Sequence, residues 1–182
     1  ALLDHFSPGK PARIVAHSMG ANIAGSYAGV RPGRVAQLVM LDFLGLKPAI
    51  DDDSPSLIGA WLNNLHKGPP LSLFQNCEAL AARLMELNPR LSEHRADFLS
   101  WNIVRGRSDS LVELACDPWH RVPSPVVYHV EDAMACWKRI EAQVLLVIAQ
   151  HGLVNKRFGG DPAEFKRRLD CFRTLQTVDI PD

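Results

Sequence analysis

The chemistry of this chain concentrates at residues 14–21, Ile-Val-Ala-His-Ser-Met-Gly-Ala, where an apolar run ends in a serine with small residues two places before and two places after it. A serine hydroxyl is a weak nucleophile until a histidine takes its proton, and that histidine in turn needs a carboxylate to fix its tautomer. Ser18 therefore reads as a nucleophile held on a sharp strand-to-helix turn, the nucleophile elbow, which requires small neighbours; here they are Ala16 and Gly20. The usual pattern has glycine at the first small position, and Ala16 adds a methyl group there. The plainer reading of the same serine is a helix cap, because a serine side chain satisfies free N–H groups at a helix start.

An elbow needs a strand before it and a helix after it. Residues 12–15 read as a short buried strand, and residues 20–28 as a helix with a small-residue face that would pack closely on a sheet. Val30-Arg31-Pro32-Gly33-Arg34 stops that helix, and the nearly continuous apolar run 35–42 is a strand buried on both faces of a parallel sheet. Together they make a βαβ unit. From 43 to about 137 the pattern changes to helical periodicity with proline breaks and no buried strand. Helices are expected over 56–65, 77–87, 92–103 and 130–140, the third with Ser92 as its cap, and 118–125 is a proline-punctuated loop. The sheet resumes with a strand over 143–149, a loop over 150–161, a basic amphipathic helix over 162–173 and a last strand over 175–180.

Composition bounds the function. The 182 residues are 47% hydrophobic and 22% charged, a profile able to bury a core, and Lys plus Arg equals Asp plus Glu at 20 each. That balance gives no footprint for nucleic acid or an anionic membrane and suits a neutral small molecule. Cys77, Cys116, Cys136 and Cys171 form no Cys-x-x-Cys pair, so neither a zinc site nor a redox motif is suggested, and the expected location is cytoplasmic. No apolar run approaches the roughly 20 residues of a membrane span. Neither a cofactor nor a metal is expected; the Asp51-Asp52-Asp53 run reads as solvated charge, since adjacent carboxylates do not converge on one ion. The chain opens at Ala1 and stops at Asp182 just after a strand, and the expectation is a fragment.

This order of elements, a serine elbow in a βαβ unit, a helical insertion after the strand ending in Asp42, then strand-helix-strand, resembles the α/β-hydrolase family with a cap domain. The runs Asn88-Pro89-Arg90-Leu91, Asp117-Pro118-Trp119-His120, Ala135-Cys136-Trp137 and Val144-Leu145-Leu146-Val147 are similar to a bacterial branch of capped serine hydrolases. The resemblance implies an α/β class with a partial α/β-hydrolase fold: a mostly parallel sheet flanked by helices, core parts at 1–44 and 138–182, and a helical cap, or lid, over 45–137. It places the nucleophile at Ser18 and half of the oxyanion hole at the Met19 backbone N–H. The other half, from an earlier strand, and the general base, a histidine after the last strand, are expected outside this chain, with Asp182 at the start of the base-bearing run.

The seven histidines are His5, His17, His66, His94, His120, His129 and His151; His17 occupies the elbow's variable position and His151 follows a strand end. The resemblance puts the acid at one of two strand ends, and the loop after 143–149 reads Gln150-His151-Gly152-Leu153-Val154-Asn155 with no carboxylate. Asp42 is therefore the chosen acid, facing a site at the carboxyl edge of the sheet, with Asp161 in reserve and a loop-organising role as the alternative for Asp42. Trp61, Phe74, Phe98, Trp101, Trp119 and Trp137 either line an apolar acyl pocket or form the lid's core. The expected activity is cleavage of an ester or related acyl bond of a small, largely apolar substrate through an acyl-enzyme on Ser18. The alternative is a hydrolase-like scaffold that binds a small molecule or partner without turnover.

Overall fold

The computed structural model describes residues 2–47, 54–69, 71–106, 111–122 and 124–181. In chain order the elements are α1 (Leu2–Phe6), β1 (Ala12–His17), α2 (Met19–Val30), β2 (Val35–Leu41), α3 (Ser54–Lys67), β3 (Leu73–Phe74), α4 (Cys77–Leu87), α5 (Glu93–Asn102), β4 (Val104–Gly106), β5 (Val112–Leu114), α6 (Val130–Trp137), β6 (Gln143–Ala149), α7 (Leu153–Phe158), α8 (Pro162–Leu169) and β7 (Leu175–Ile180). They form two compact units, one of Ala1–Ile50 with Tyr128–Asp182 and one of Asp51–Val127.

The first unit is built on a parallel sheet in the order β1-β2-β6-β7. The two central strands explain why β2 and β6 carry nearly unbroken apolar runs: Leu38, Met40, Val144, Leu146 and Ile148 are buried on one face, while Val39, Leu145 and Val147 are half-buried on the other. Along β1 burial alternates, with Ile14 and Ala16 turned to the core and Arg13, Val15 and His17 exposed. Fully burying side chains the size of Leu38, Met40 and Leu146, each at 0% exposure, contributes roughly 1.5–3 kcal/mol apiece.

Helix α2 packs on α6 through the small residues that the sequence singled out. A Cβ at Gly25 would come within 3.1 Å of the Trp137 indole Nε1, and one at Gly29 would overlap the Cys136 carbonyl. The small face thus serves a helix–helix crossing as well as the sheet. Trp137, fully buried, stacks on Phe172 at 5.4 Å and joins this core. Its helix therefore lies in the first unit, inside the residue span that the sequence reading gave to the lid.

The second unit packs α4 on α5, burying Cys77, Leu80, Ala81 and Ala96, and contains a three-stranded antiparallel sheet in the order β3-β5-β4. Those strands were not expected, and at two or three residues each they are too short for a period-two pattern to show. Helix α4 starts on Asn76, whose side chain accepts from the Ala79 N–H at 2.8 Å. Helix α5 does follow Ser92, but the Ser92 side chain makes no cap bond; its carbonyl accepts from the Ala96 N–H instead.

Candidate active site

Parallel strands bring their carboxyl ends to one edge of the sheet. The ladder continues one residue past each strand end: the Ser18 N–H donates to the Leu41 carbonyl at 3.3 Å, the Asp42 N–H to Val147 at 2.8 Å, and the Gln150 N–H to Ile180 at 3.0 Å. Ser18, Asp42 and the loop after β6 are thereby neighbours along the carboxyl edge, where open α/β sheets place their ligands.

Ser18 links β1 directly to α2 with no intervening loop, and the backbone absorbs the reversal at this one residue, with φ 52° and ψ −122°. A non-glycine residue there costs on the order of 1–3 kcal/mol, and such strain persists only where the surroundings enforce it. The Ser18 side chain makes no cap hydrogen bond, so the residue stands at the N-cap position without doing the work of a cap. Its carbonyl, by contrast, accepts from Ala21 at 2.9 Å and Asn22 at 3.2 Å, which opens the helix. The Met19 N–H belongs to the first turn of α2, where amides have no intrahelical acceptor. A Cβ at Gly20 would meet nothing within 4 Å among the described residues, so the tight contacts of α2 fall at Gly25 and Gly29 rather than at the elbow.

Asp42 is the only other described non-glycine residue with positive φ, at 49°. Its half-buried carboxylate reaches across to the loop after β6: Oδ1 accepts from the Ala149 N–H at 3.3 Å and the Val154 N–H at 3.4 Å, and Oδ2 accepts from the Leu153 N–H. The carboxylate that the 150–155 segment lacks is thus delivered to it from the neighbouring strand. The same three bonds show Asp42 organising that loop, whose residues 153–158 form α7 where the sequence suggested no helix. Asp161 is committed elsewhere, capping α8 by accepting from the Glu164 N–H at 2.9 Å. His17 and His151 are both exposed. The aromatic residues separate: Trp137 belongs to the first unit's core, whereas Phe98 and Trp101 are largely exposed on α5 in the second unit. Asp51, Asp52, Asp53 and Asp182 lie outside the described residues. Among the described residues no group of His, Cys, Asp or Glu side chains is placed to hold a metal, and no helix is long and apolar enough to cross a membrane.

Two arginines missed by the sequence reading hold the segment after Asp42. Arg168, at 0% exposure on α8, donates Nη1 to the Leu44 carbonyl at 2.9 Å and to Leu46 at 2.7 Å, pairs through Nε with Glu164 at 2.7 Å, and lies 4.8 Å over the Phe158 ring. Arg157 on α7 donates to the Gly45 carbonyl and lies over the Phe43 ring. Burial, with the neighbouring Arg168 charge, holds the Arg157 guanidinium below its ordinary value. Gly45 itself has φ +78°, and a Cβ there would press within 3.1 Å of Arg168, Trp137 and Tyr128. A basic run on an amphipathic helix signals solvent exposure, so nothing in the sequence marked Arg168 as interior.

Comparisons with known proteins agree with this architecture. No family model matches the chain. An alpha/beta hydrolase from Novosphingobium aromaticivorans superposes with TM-score 0.63 at 15% identity, covering 100% of this chain and 61% of that one. The chain carries the α/β-hydrolase fold. The thioesterase domain from the curacin biosynthetic pathway superposes on this α/β-hydrolase fold with TM-score 0.75 at 21% identity, covering 100% of the chain and 62% of that domain. A zebrafish (Danio rerio) serine hydrolase-like protein is 26% identical over 145 residues, 77% of this chain and 44% of its own length. The chain thus spans less than two thirds of the hydrolase-fold proteins it matches.

Proposed function

We propose that this chain is the nucleophile-bearing part of a serine hydrolase that cleaves an ester or related acyl bond of a small, largely apolar substrate. The observation that carries the proposal is the strained backbone of Ser18 at a strand-to-helix reversal, combined with a hydroxyl that takes no part in capping the helix behind it. Strain at a residue whose side chain performs no capping task points to function. Ser18 Oγ attacks the acyl carbon, and a histidine, assigned by the resemblance to the segment after β7, takes its proton. The Met19 N–H, at the positive end of α2, donates to the oxyanion that forms. Asp42 orients the histidine; its two oxygens offer about four acceptor sites and the backbone fills three of them, which leaves one for an imidazole N–H. Two of the similar proteins, a serine hydrolase-like protein and a thioesterase domain, favour acyl-bond chemistry. The unit at Asp51–Val127, inserted in sequence between β2 and α6, is proposed as the cap.

The non-catalytic scaffold is the second reading, and one observation favours it: Asp42 has a sufficient structural occupation in bonding the loop after β6. A fluorophosphonate probe separates the two. On the hydrolase reading it labels the full-length protein at Ser18 and labelling disappears in Ser18→Ala. Absence of labelling, or labelling unchanged by that substitution, overturns the hydrolase reading.

A further inference from the structure

Gly152 sits in the loop after β6 with φ −81° and ψ −172°, a backbone conformation that any residue adopts, so its identity is not explained by torsion. Space explains it. A Cβ built on Gly152 would overlap both carboxylate oxygens and the carboxyl carbon of Asp42. The same carboxylate is gripped by the amides of Ala149, Leu153 and Val154, which flank Gly152 on both sides. The loop is held in turn by Asn155, whose Nδ2 donates to the carbonyls of Ala149 and Gln150 at 3.1 Å each, and by the Gly152 N–H, which donates to Ala149 at 2.9 Å. The arrangement is a socket: three amides aimed inward, a floor without a side chain, and a side-chain amide closing the turn.

We infer that Gly152 is a positioning residue for Asp42, its absent side chain being what lets a carboxylate from β2 occupy the loop after β6. The inference rests on the hydrolase reading for its catalytic consequence, whereas the packing relation stands without it. A methyl group at 152 pushes the carboxylate out of the socket and away from the line of the imidazole.

The test is a double-variant cycle between Gly152→Ala and Asp42→Ala, with Gly160→Ala as the control because a Cβ there meets nothing within 4 Å. Urea midpoints are measured for all variants, together with kcat and KM for hydrolysis of p-nitrophenyl acetate by the full protein. Gly152→Ala is expected to lower the urea midpoint when Asp42 is present and to leave it unchanged in Asp42→Ala, where the space is vacated. It is expected to lower kcat by about 10²-fold with KM held, the scale of an ångström-sized misplacement of a working group, and to cause no further loss in Asp42→Ala. Equal effects of Gly152→Ala with and without Asp42, in either measurement, overturn the inference. If the parent protein neither hydrolyses the ester nor takes the fluorophosphonate at Ser18, the hydrolase reading fails, and the urea cycle alone then decides whether Gly152 makes room for Asp42.

Discussion

Replacing Arg168 by methionine keeps the unbranched stem as far as the position of Nε and removes every donor from a group that has no exposed surface. The Leu44 carbonyl, on a residue 1% exposed, loses its bond at 2.9 Å and is left unpaired in the interior, at a cost of about 1–3 kcal/mol. The Leu46 carbonyl, on an exposed residue, regains water and contributes little. Glu164 keeps two bonds from Arg167, at 2.6 and 3.0 Å, so no bare charge is created there. Two terms offset the loss: the parent carries a buried guanidinium with one nitrogen, Nη2, lacking a hydrogen-bond partner among the described residues, and methionine packs well against Phe158. The balance is a destabilisation of about 1–2 kcal/mol, below the 3–5 kcal/mol of a pair broken to leave a buried charge. With a urea slope of about 1–3 kcal/mol per molar, the unfolding midpoint should fall by roughly 0.3–2 M. Near-ultraviolet circular dichroism, which reports on packed rings such as the Trp137–Phe172 stack, follows the transition in the relevant unit. Arg168→Lys, whose shorter side chain carries one nitrogen and cannot serve the two carbonyls as Nη1 does while also pairing Glu164 as Nε does, should fall between parent and Arg168→Met. A midpoint unchanged or raised in Arg168→Met would refute the argument that this cation secures the segment after Asp42.

Gly29→Ala places a methyl group on the Cys136 carbonyl and must separate α2 from α6, so a loss of about 3 kcal/mol is expected, at the upper end for overpacking; Gly33→Ala, with open space, should be neutral, and equal urea midpoints for the two would contradict the crossing described. The Glu164 carboxyl is held below its ordinary value, chiefly by the hydrogen bond from Arg167 and further by Arg168. Its folded pKa is thus lower than its unfolded one, and the stability it contributes is complete above about pH 4.3 and lost as pH falls through the folded value. Glu164→Gln should therefore flatten the acid limb of a stability-against-pH curve, and an unaltered limb would show that other carboxyls set it.

Much of the fold was legible because its signals are local. The runs 35–42 and 143–149 are apolar enough to be buried on both faces, and the structure has β2 at Val35–Leu41 and β6 at Gln143–Ala149. The residues 77–87 carry a clear helical period, and α4 spans Cys77–Leu87. What escaped was short or relational. Strands β3, β4 and β5 are too brief for alternation to register, and α7, six residues long, exists against the Asp42 carboxylate that accepts from its first amides. Arg168 stands in a run that reads only as a basic amphipathic helix, because hydropathy assigns an arginine to solvent whatever carbonyls await it.

The sequence by itself determined that Ser18 stands between a strand and a small-faced helix, since spacing, residue size and apolar period are properties of neighbours along the chain. It also determined the parallel α/β layout, which follows from the same periods. Only the tertiary structure decided that the Ser18 hydroxyl is not a cap, that Asp161 is one, and that Asp42 answers the carboxylate-free loop after β6. The last of these depends on which amides meet which oxygens across residues more than a hundred positions apart, and hydrogen bonding of that kind leaves no trace in the spacing of either segment.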